Sequence, residues 1–445
     1  MAVSVCFRRF DITPTHPVSL LGYFTDRISE GVLDPLYCRM AAVYDGRRKA
    51  LFVQIDNCMI ETADAKALKR AIEAGSPFRA SETVVFVNHS HTAPALEDFF
   101  ESRKEKEYLA DLVEKIAAAA GTMKPEAEAE TFQCRGRAPG LASNRRWWLK
   151  TGVVATNPPR GHKLMDRPEG PVDDEVNTVV FAGKDGRPLA LFVSISNHTD
   201  TVGGNLISAD WTGVMEKAVQ GSLGTDVVVM PFIGAQGNIN HFDFSAPKDQ
   251  TGPGEALRIG REYARIVLES LKDRSPLALT PVRIAEKSVR IPPLEVSEAE
   301  IAEARKLVAR PPAVDAGRKL DADDIFKGDP TVEYYFAKAL LDWISRKPEA
   351  YDVPLQALRL GEAVFCAIPG EPFVEVGLAL KKDSGYALTV PICLAGGHHG
   401  YIPMKECFGR GGYETRPFSA LLSRDAAGRI VEELLALAAA GRKGK

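Results

Sequence analysis

The chain has 445 residues, 45% hydrophobic and 26% charged, with mean hydropathy −0.12, which excludes disordered, collagenous and coiled-coil classes. Its 56 Lys and Arg against 59 Asp and Glu, net −3 with pI near 6.3, create no global field for a polyanion, so no nucleic-acid partner is expected. Seven cysteines, an odd number with no C-x-x-C pair, exclude a disulfide framework and a zinc ribbon and fit a reducing cytoplasm. A chain of this length buries most of its apolar surface without a structural metal, so any metal would serve chemistry.

The N-terminal stretch MAVSVCFRRFDITP runs from apolar to charged, the reverse of an export signal. Two later segments share one layout: AAVYDGRRKALFVQIDNC turns at Asp45-Gly46 and NTVVFAGKDGRPLALFVSISNH turns at Asp185-Gly186, both read as β-hairpins. Apolar runs at 83–88, 226–233, 360–368 and 387–395 read as buried strands. Helices are expected over Thr62–Ala74, Lys106–Ala120, Trp211–Gly221, Gly254–Leu271 and Phe373–Lys382, so the pattern is α/β, with mixed β-sheets flanked by helices. From Pro292 to Pro354 the composition turns charged and helical, opening on the capping box Ser297 to Glu300, and predicts a helical insertion or cover over 296–350. No repeat of 20 to 50 residues stands out. The run Val431 to Ala440 is too short to span a bilayer and carries Glu432 and Glu433, so the protein is expected to have no transmembrane segment and to be cytoplasmic.

There is no nucleophile elbow, P-loop or dinucleotide fingerprint. Six of the eight histidines directly follow predicted strands: His89 and His91 in VNHSHTAP, His198 in SNHTD, His241 in GNINHF, and His398-His399 in AGGHHGY. Loops leaving the carboxyl ends of strands converge in α/β sheets. In an extended backbone His-x-His points both imidazoles to one side, a seed for a Zn²⁺ site; the plainer alternative is histidines bonded to backbone in the core. Glu371, in AIPGEPF, is either a hard ligand or a carboxylate favoured by the dipole of the following helix.

FDITP, LLGY, GVLDPLYCRM, FVQIDNCM, VNHSHTAP, NRR at 144–146, SNHTD with ISADWTG, GAQGN, IPGEPF and GYIPMKECFGRGGYET, in that order, resemble the neutral/alkaline non-lysosomal ceramidase family. Its members are zinc-dependent amidases that cleave the N-acyl bond of ceramide. The resemblance spans nearly the whole chain and implies one ceramidase-like catalytic domain over 1–445, without the C-terminal β-sandwich, that takes an N-acyl amide or lipid-like substrate in lipid metabolism. It implies that His89, His198, Glu371 and Tyr401 bind zinc and that zinc-bound water attacks the amide. It further implies that His91 carries the proton and that Arg145 and Tyr413 stabilise the oxyanion.

Where the family has a serine implicated in catalysis, this chain has Asn240, which cannot be a nucleophile. A catalytically altered ceramidase-fold protein, acting as a pseudoenzyme or a binding protein, therefore stays open. So does a (β/α)₈ metal-dependent amidohydrolase, although His-x-His comes late for its first strand. The sequence offers no exposed apolar or basic element for drawing a lipid from a membrane, which, with Asn240, favours a smaller, more soluble N-acyl substrate. Oligomeric state is not legible.

Overall fold

A computed structural model describes residues 3–313 and 320–440. Strands β1 (Val3–Asp11), β2 (Tyr37–Tyr44), β3 (Lys49–Ile55), β4 (Thr83–Val87), β5 (Ala127–Arg137), β6 (Glu175–Ala182), β7 (Pro188–Ile195) and β8 (Val228–Ile233) form the main sheet, in the order β8-β7-β6-β5-β1-β2-β3-β4. A second sheet orders β9 (Val282–Ile291), β10 (Tyr351–Leu360), β11 (Ala363–Ala367) and β12 (Leu388–Ile392). One face of the main sheet packs on α1 (Thr62–Gly75), α2 (Lys106–Thr122), α3 (Asp210–Leu223) and α4 (Pro253–Ser270). Its other face packs on the second sheet, whose outer face is covered by α8 (Val374–Asp383) and α9 (Ala426–Ala439). The mixed α/β architecture agrees with the sequence reading, and separate mixed sheets are not the closed parallel barrel of a (β/α)₈ enzyme.

Both Asp-Gly hairpins form, and each is followed by a helix and a strand parallel to its second arm: β2-β3-α1-β4 and β6-β7-α3-β8. A third copy, β10-β11-α8-β12, builds most of the second sheet. The architecture therefore repeats three times although no sequence repeat is visible: burial demands only an apolar run at each strand, which many sequences satisfy. Apolar runs do not reveal β1, β5 and β9, because these strands are half-exposed and alternate apolar with charged residues, as in Glu128, Glu130 and Arg135 of β5.

The main sheet curls until its two edges meet. Phe86 on β4 stacks on Phe232 on β8 with ring centres 4.8 Å apart, and Phe52, Phe192 and Phe365 pack around Phe232 at 5.8, 5.0 and 5.5 Å. The chain leaving β12 enters between these edges, where Cys393 N–H donates to Ile233 O at 2.9 Å and Gly396 N–H to Val85 O at 2.8 Å. The carboxyl ends of three parallel strands are thereby fastened to one another.

The helical insertion is present as α5 (Glu298–Ala309), α6 (Ala322–Lys327) and α7 (Pro330–Arg346), with the Ser297–Glu300 capping box formed; its residues 314–319 lie outside the described residues. Removing the Phe232 ring, which is fully buried, from the inter-sheet core should cost about 3–5 kcal/mol. Urea unfolding of Phe232→Ala against the parent chain measures it.

Candidate metal centre

β4 ends at Val87, and His89, two residues on, adopts φ +66°. The His-x-His segment is therefore not extended, contrary to the strand-based expectation: a left-handed turn at His89, a conformation His tolerates better than most residues, brings the two rings together. His91 Nε2 lies 3.1 Å from His89 Nε2. Gly22 of the LLGY segment makes room for this turn, since a Cβ there would stand 2.6 Å from His91 Nδ1.

His198 leaves β7 and Glu371 leaves β11, and both reach the same point. His89 Nε2 is 3.1 Å from His198 Nε2 and 3.3 Å from Glu371 Oε2, and His198 Nε2 is 3.6 Å from Glu371 Oε2. All three side chains are buried. Each imidazole spends its other nitrogen on a carbonyl, His89 Nδ1–H donating to Cys58 O at 2.9 Å and His198 Nδ1–H to Gln236 O at 3.2 Å. A carbonyl only accepts, so both Nε2 atoms keep lone pairs: that of His198 is met by Arg145 Nη1 at 3.4 Å and that of His89 by His91 Nε2 at 3.1 Å, while Glu371 Oε2 has no hydrogen-bond partner.

Three buried acceptors at this spacing call for a positive charge. Burial alone would lower the His89 pKa, but the Glu371 carboxylate raises it; burial likewise pushes Glu371 up, yet His89 and His398 hold it at about 2. His198 is lowered by burial and by Arg145, which keeps it neutral and fit to ligate. Donors about 2.0–2.1 Å from a tetrahedral ion stand about 3.3 Å apart, so the three atoms fit Zn²⁺. Glu371 is thus more than a helix-terminal carboxylate.

Tyr401 is placed beside Glu371 by backbone: Glu371–Pro372 pairs in parallel with Tyr401–Ile402. Its hydroxyl is 3.4 Å from that of Tyr413, and burial together with Glu371 keeps its pKa well above the usual tyrosine value. The Arg145 guanidinium lies 5.3 and 5.4 Å from the centres of the two tyrosine rings. It donates to Glu414 Oε1 at 2.9 Å and to Gly237 O at 2.7 Å, while its Nη1 reaches to 3.4 Å from His198 Nε2. His91 shares His89 with the His89–His198–Glu371 group but not the rest of it: with Cys58 and His89 it forms a second cluster of possible metal ligands, its ring is 5.8 Å from that of His198, and its buried Nδ1 has no hydrogen-bond partner, with Asp200 Oδ1 at 3.6 Å.

Several contributors escaped the sequence reading. Asp200, two residues past His198, accepts from Tyr23 O–H at 2.6 Å beside His91. Glu414 binds both Arg145 and Arg146, and Glu97 pairs with His398 Nδ1 at 3.0 Å, which sets His398 Nε2 3.9 Å from Glu371 Oε1. Asp200 and Glu414 lie inside the quoted segments SNHTD and GGYET, whereas Glu97 lies just past VNHSHTAP, and nothing local says which carboxylate meets which ring. His241 and His399 are spent on backbone, bonding Gln250 O at 2.8 Å and Pro369 O at 3.1 Å. Asn240, at the serine position, donates to Asn157 Oδ1 at 2.6 Å.

The group lies in a cavity of about 430 Å³. Phe24, Phe100 and Phe418 line it together with Ile325, Phe336 and Trp343 of the helical insertion, so Phe336 and Trp343 serve the cavity as well as core packing, whereas Tyr335 packs in the core.

No protein-family model matches this chain, and no curated protein matches it significantly. Among solved structures, the neutral ceramidase from Pseudomonas aeruginosa superposes with TM-score 0.75 at 14% identity, over 99% of this chain and 74% of that one. A ceramidase complexed with C2 superposes with TM-score 0.74 at 14% identity, over 100% of this chain and 76% of that one.

A Cβ at Gly237 would collide with the Glu371 carbonyl. Gly237→Ala should therefore move Glu371 and weaken the affinity of the site for added Zn²⁺ by about 10–100-fold relative to the parent chain, measured by competition with a chromogenic chelator. Over its full length, the chain has the ceramidase-like fold.

Proposed function

We propose that the chain is a zinc-dependent amidohydrolase that cleaves the N-acyl bond of an amphipathic amide. The observation that carries this reading is the convergence of His89 Nε2, His198 Nε2 and Glu371 Oε2 to within 3.1–3.6 Å of one another, in a cavity with aromatic walls. His89, His198 and Glu371 would hold the ion, with Tyr401 as fourth ligand through its hydroxyl. Zinc bound there would supply a Lewis acid for the amide carbonyl and lower the pKa of water to about 7.

The chain's own residues supply the rest. His91, within reach of the donor group yet outside it, takes a proton from the attacking water and returns it to the leaving nitrogen. Arg145, anchored by Glu414 and the Gly237 carbonyl, holds Nη1 3.4 Å from His198 Nε2, where it donates to the developing oxyanion; the Tyr413 hydroxyl is the oxyanion's second donor. Asp200 and Tyr23 hold His91 from its far side. Phe24, Phe100, Phe336 and Phe418 exclude water around an acyl chain. Seven unpaired, buried cysteines support a reducing compartment such as the cytoplasm. No helix among the described residues is long and apolar enough to cross a membrane.

A second reading, a protein that binds such amides without cleaving them, is favoured by Asn240, whose amide is engaged with Asn157. His91→Ala separates the two. On the hydrolase reading it keeps one zinc per chain by elemental analysis while kcat falls about 10²–10⁴-fold; loss of the zinc instead makes His91 a ligand.

For substrate size, specificity constants on dispersed ceramide are compared with those on short N-acyl amines and N-acyl amino acids. Asn240 favours the smaller compounds. The other support for small substrates, the lack of an exposed apolar element, does not hold, because such an element borders the cavity. A higher kcat/KM on ceramide assigns the long-chain amide.

A further inference from the structure

Among the described residues seven large apolar side chains are strongly exposed, and four of them are neighbours: Ile28 and Val32 at 49%, Leu33 and Leu206 at 41%. Gly31–Val32 pairs in parallel with Leu206–Ile207, and the Leu206 side chain packs over Gly31. Glu30 and Leu33 N–H groups donate to the carbonyls of Asn205 and Ile207 at 2.9 and 2.8 Å. The loops 19–33 and 199–207 are therefore one platform.

Its two sides differ. On the inner side Gly22, Tyr23, Phe24 and Asp200 line the cavity. The only cation of the two loops, Arg27, is also turned inward, donating to the carbonyls of Leu21, His91 and Gly204 at 2.8, 2.5 and 2.6 Å. On the outer side the four apolar side chains stand beside the acidic Asp26 and Glu30, with no basic residue among them.

We propose that this platform docks on a zwitterionic lipid bilayer and sets the cavity beside the interface. A specific interface between two copies needs about 800 Å² on each partner, more than four half-exposed side chains offer, whereas a few apolar side chains at the headgroup boundary suffice for reversible lipid binding. The acidic flank and inward Arg27 argue against recruitment by anionic lipid. That the docked face delivers substrate rests on the amidohydrolase reading; the docking itself does not.

Co-sedimentation with phosphatidylcholine vesicles tests it on the full chain. The triple variant Ile28→Ser, Val32→Ser, Leu206→Ser should lose about tenfold or more in partition coefficient, with unchanged melting temperature and unchanged turnover of a short soluble N-acyl amide. Adding phosphatidylserine should not strengthen binding by the parent chain. Val32→Trp, a milder change, should show emission quenched by brominated phosphatidylcholine beyond the quenching of the parent chain, and it keeps the test open if the triple variant fails to fold. The proposal is overturned if the parent chain ignores phosphatidylcholine, if the triple variant binds equally, or if binding requires anionic lipid. It is also overturned if sedimentation velocity shows a dimer that the triple variant dissolves, which makes the platform an interface between copies. Should no amide be turned over by either protein, the enzymatic reading falls while the partition result stands.

Discussion

Two imidazole nitrogens and one carboxylate oxygen meet across 3.1 to 3.6 Å, each able to accept. Left alone, these acceptors repel, and in a buried setting the repulsion is poorly screened. They stay together because each is tied to scaffold: His89 through Cys58 O, His198 through Gln236 O, and Glu371 through the short parallel pair with Tyr401–Ile402. The scaffold in turn depends on Cys393–Gly396, which bonds both edges of the curled main sheet and so fixes the distance between loops from different units. A cation at the centre would offset this repulsion.

The threefold ββαβ architecture explains how the candidate ligands alternate. In the first unit Cys58 lies three residues past the end of β3, and in the second His198 lies three residues past the end of β7, so the two positions correspond. The first unit offers a backbone carbonyl there and takes its ligand, His89, from the loop after its parallel strand. The second offers the ligand there and takes its carbonyl, Gln236 O, from the loop after its parallel strand. The third supplies charge, Glu371, in place of a ring. Equivalent strand ends thus exchange roles, and each imidazole is oriented by a carbonyl of its own unit.

Around this centre the cavity divides by chemistry. Arg145, Tyr401 and Tyr413 form its polar end, with Glu414 neutralising Arg145 from behind; Phe24, Phe100, Phe336 and Phe418 form its apolar wall. The insertion contributes to that wall through α7, where helical spacing turns Phe336 and Trp343 toward the same side. The loops that complete the cavity on the side of His91 are those whose outer face exposes Ile28, Val32 and Leu206, so the cavity and the apolar surface share two segments of chain.

The alternation of apolar runs with helical stretches was enough to read α/β layering, both Asp-Gly hairpins and the insertion helices, because these depend on local periodicity and turn chemistry. The residues offered as ligands, His89, His198 and Glu371, were also legible, since imidazoles and a carboxylate at strand ends are scarce and their segments resemble a known family. Strands β1, β5 and β9 were not, because one face of each meets solvent and the charged residues there break the apolar run. Without the resemblance, strand-end position alone does not separate His198, whose Nε2 faces the group, from His241 and His399, which bond carbonyls elsewhere; that choice depends on which loop lies across from which. The pairing of Asp200 with His91, the carbonyls that set the tautomers, the curl that joins β4 to β8 and the apolar outer face of the cavity loops are all products of long-range contact. Local sequence sets what each loop can offer, and only the closure of three units around Cys393–Gly396 decides which offers meet.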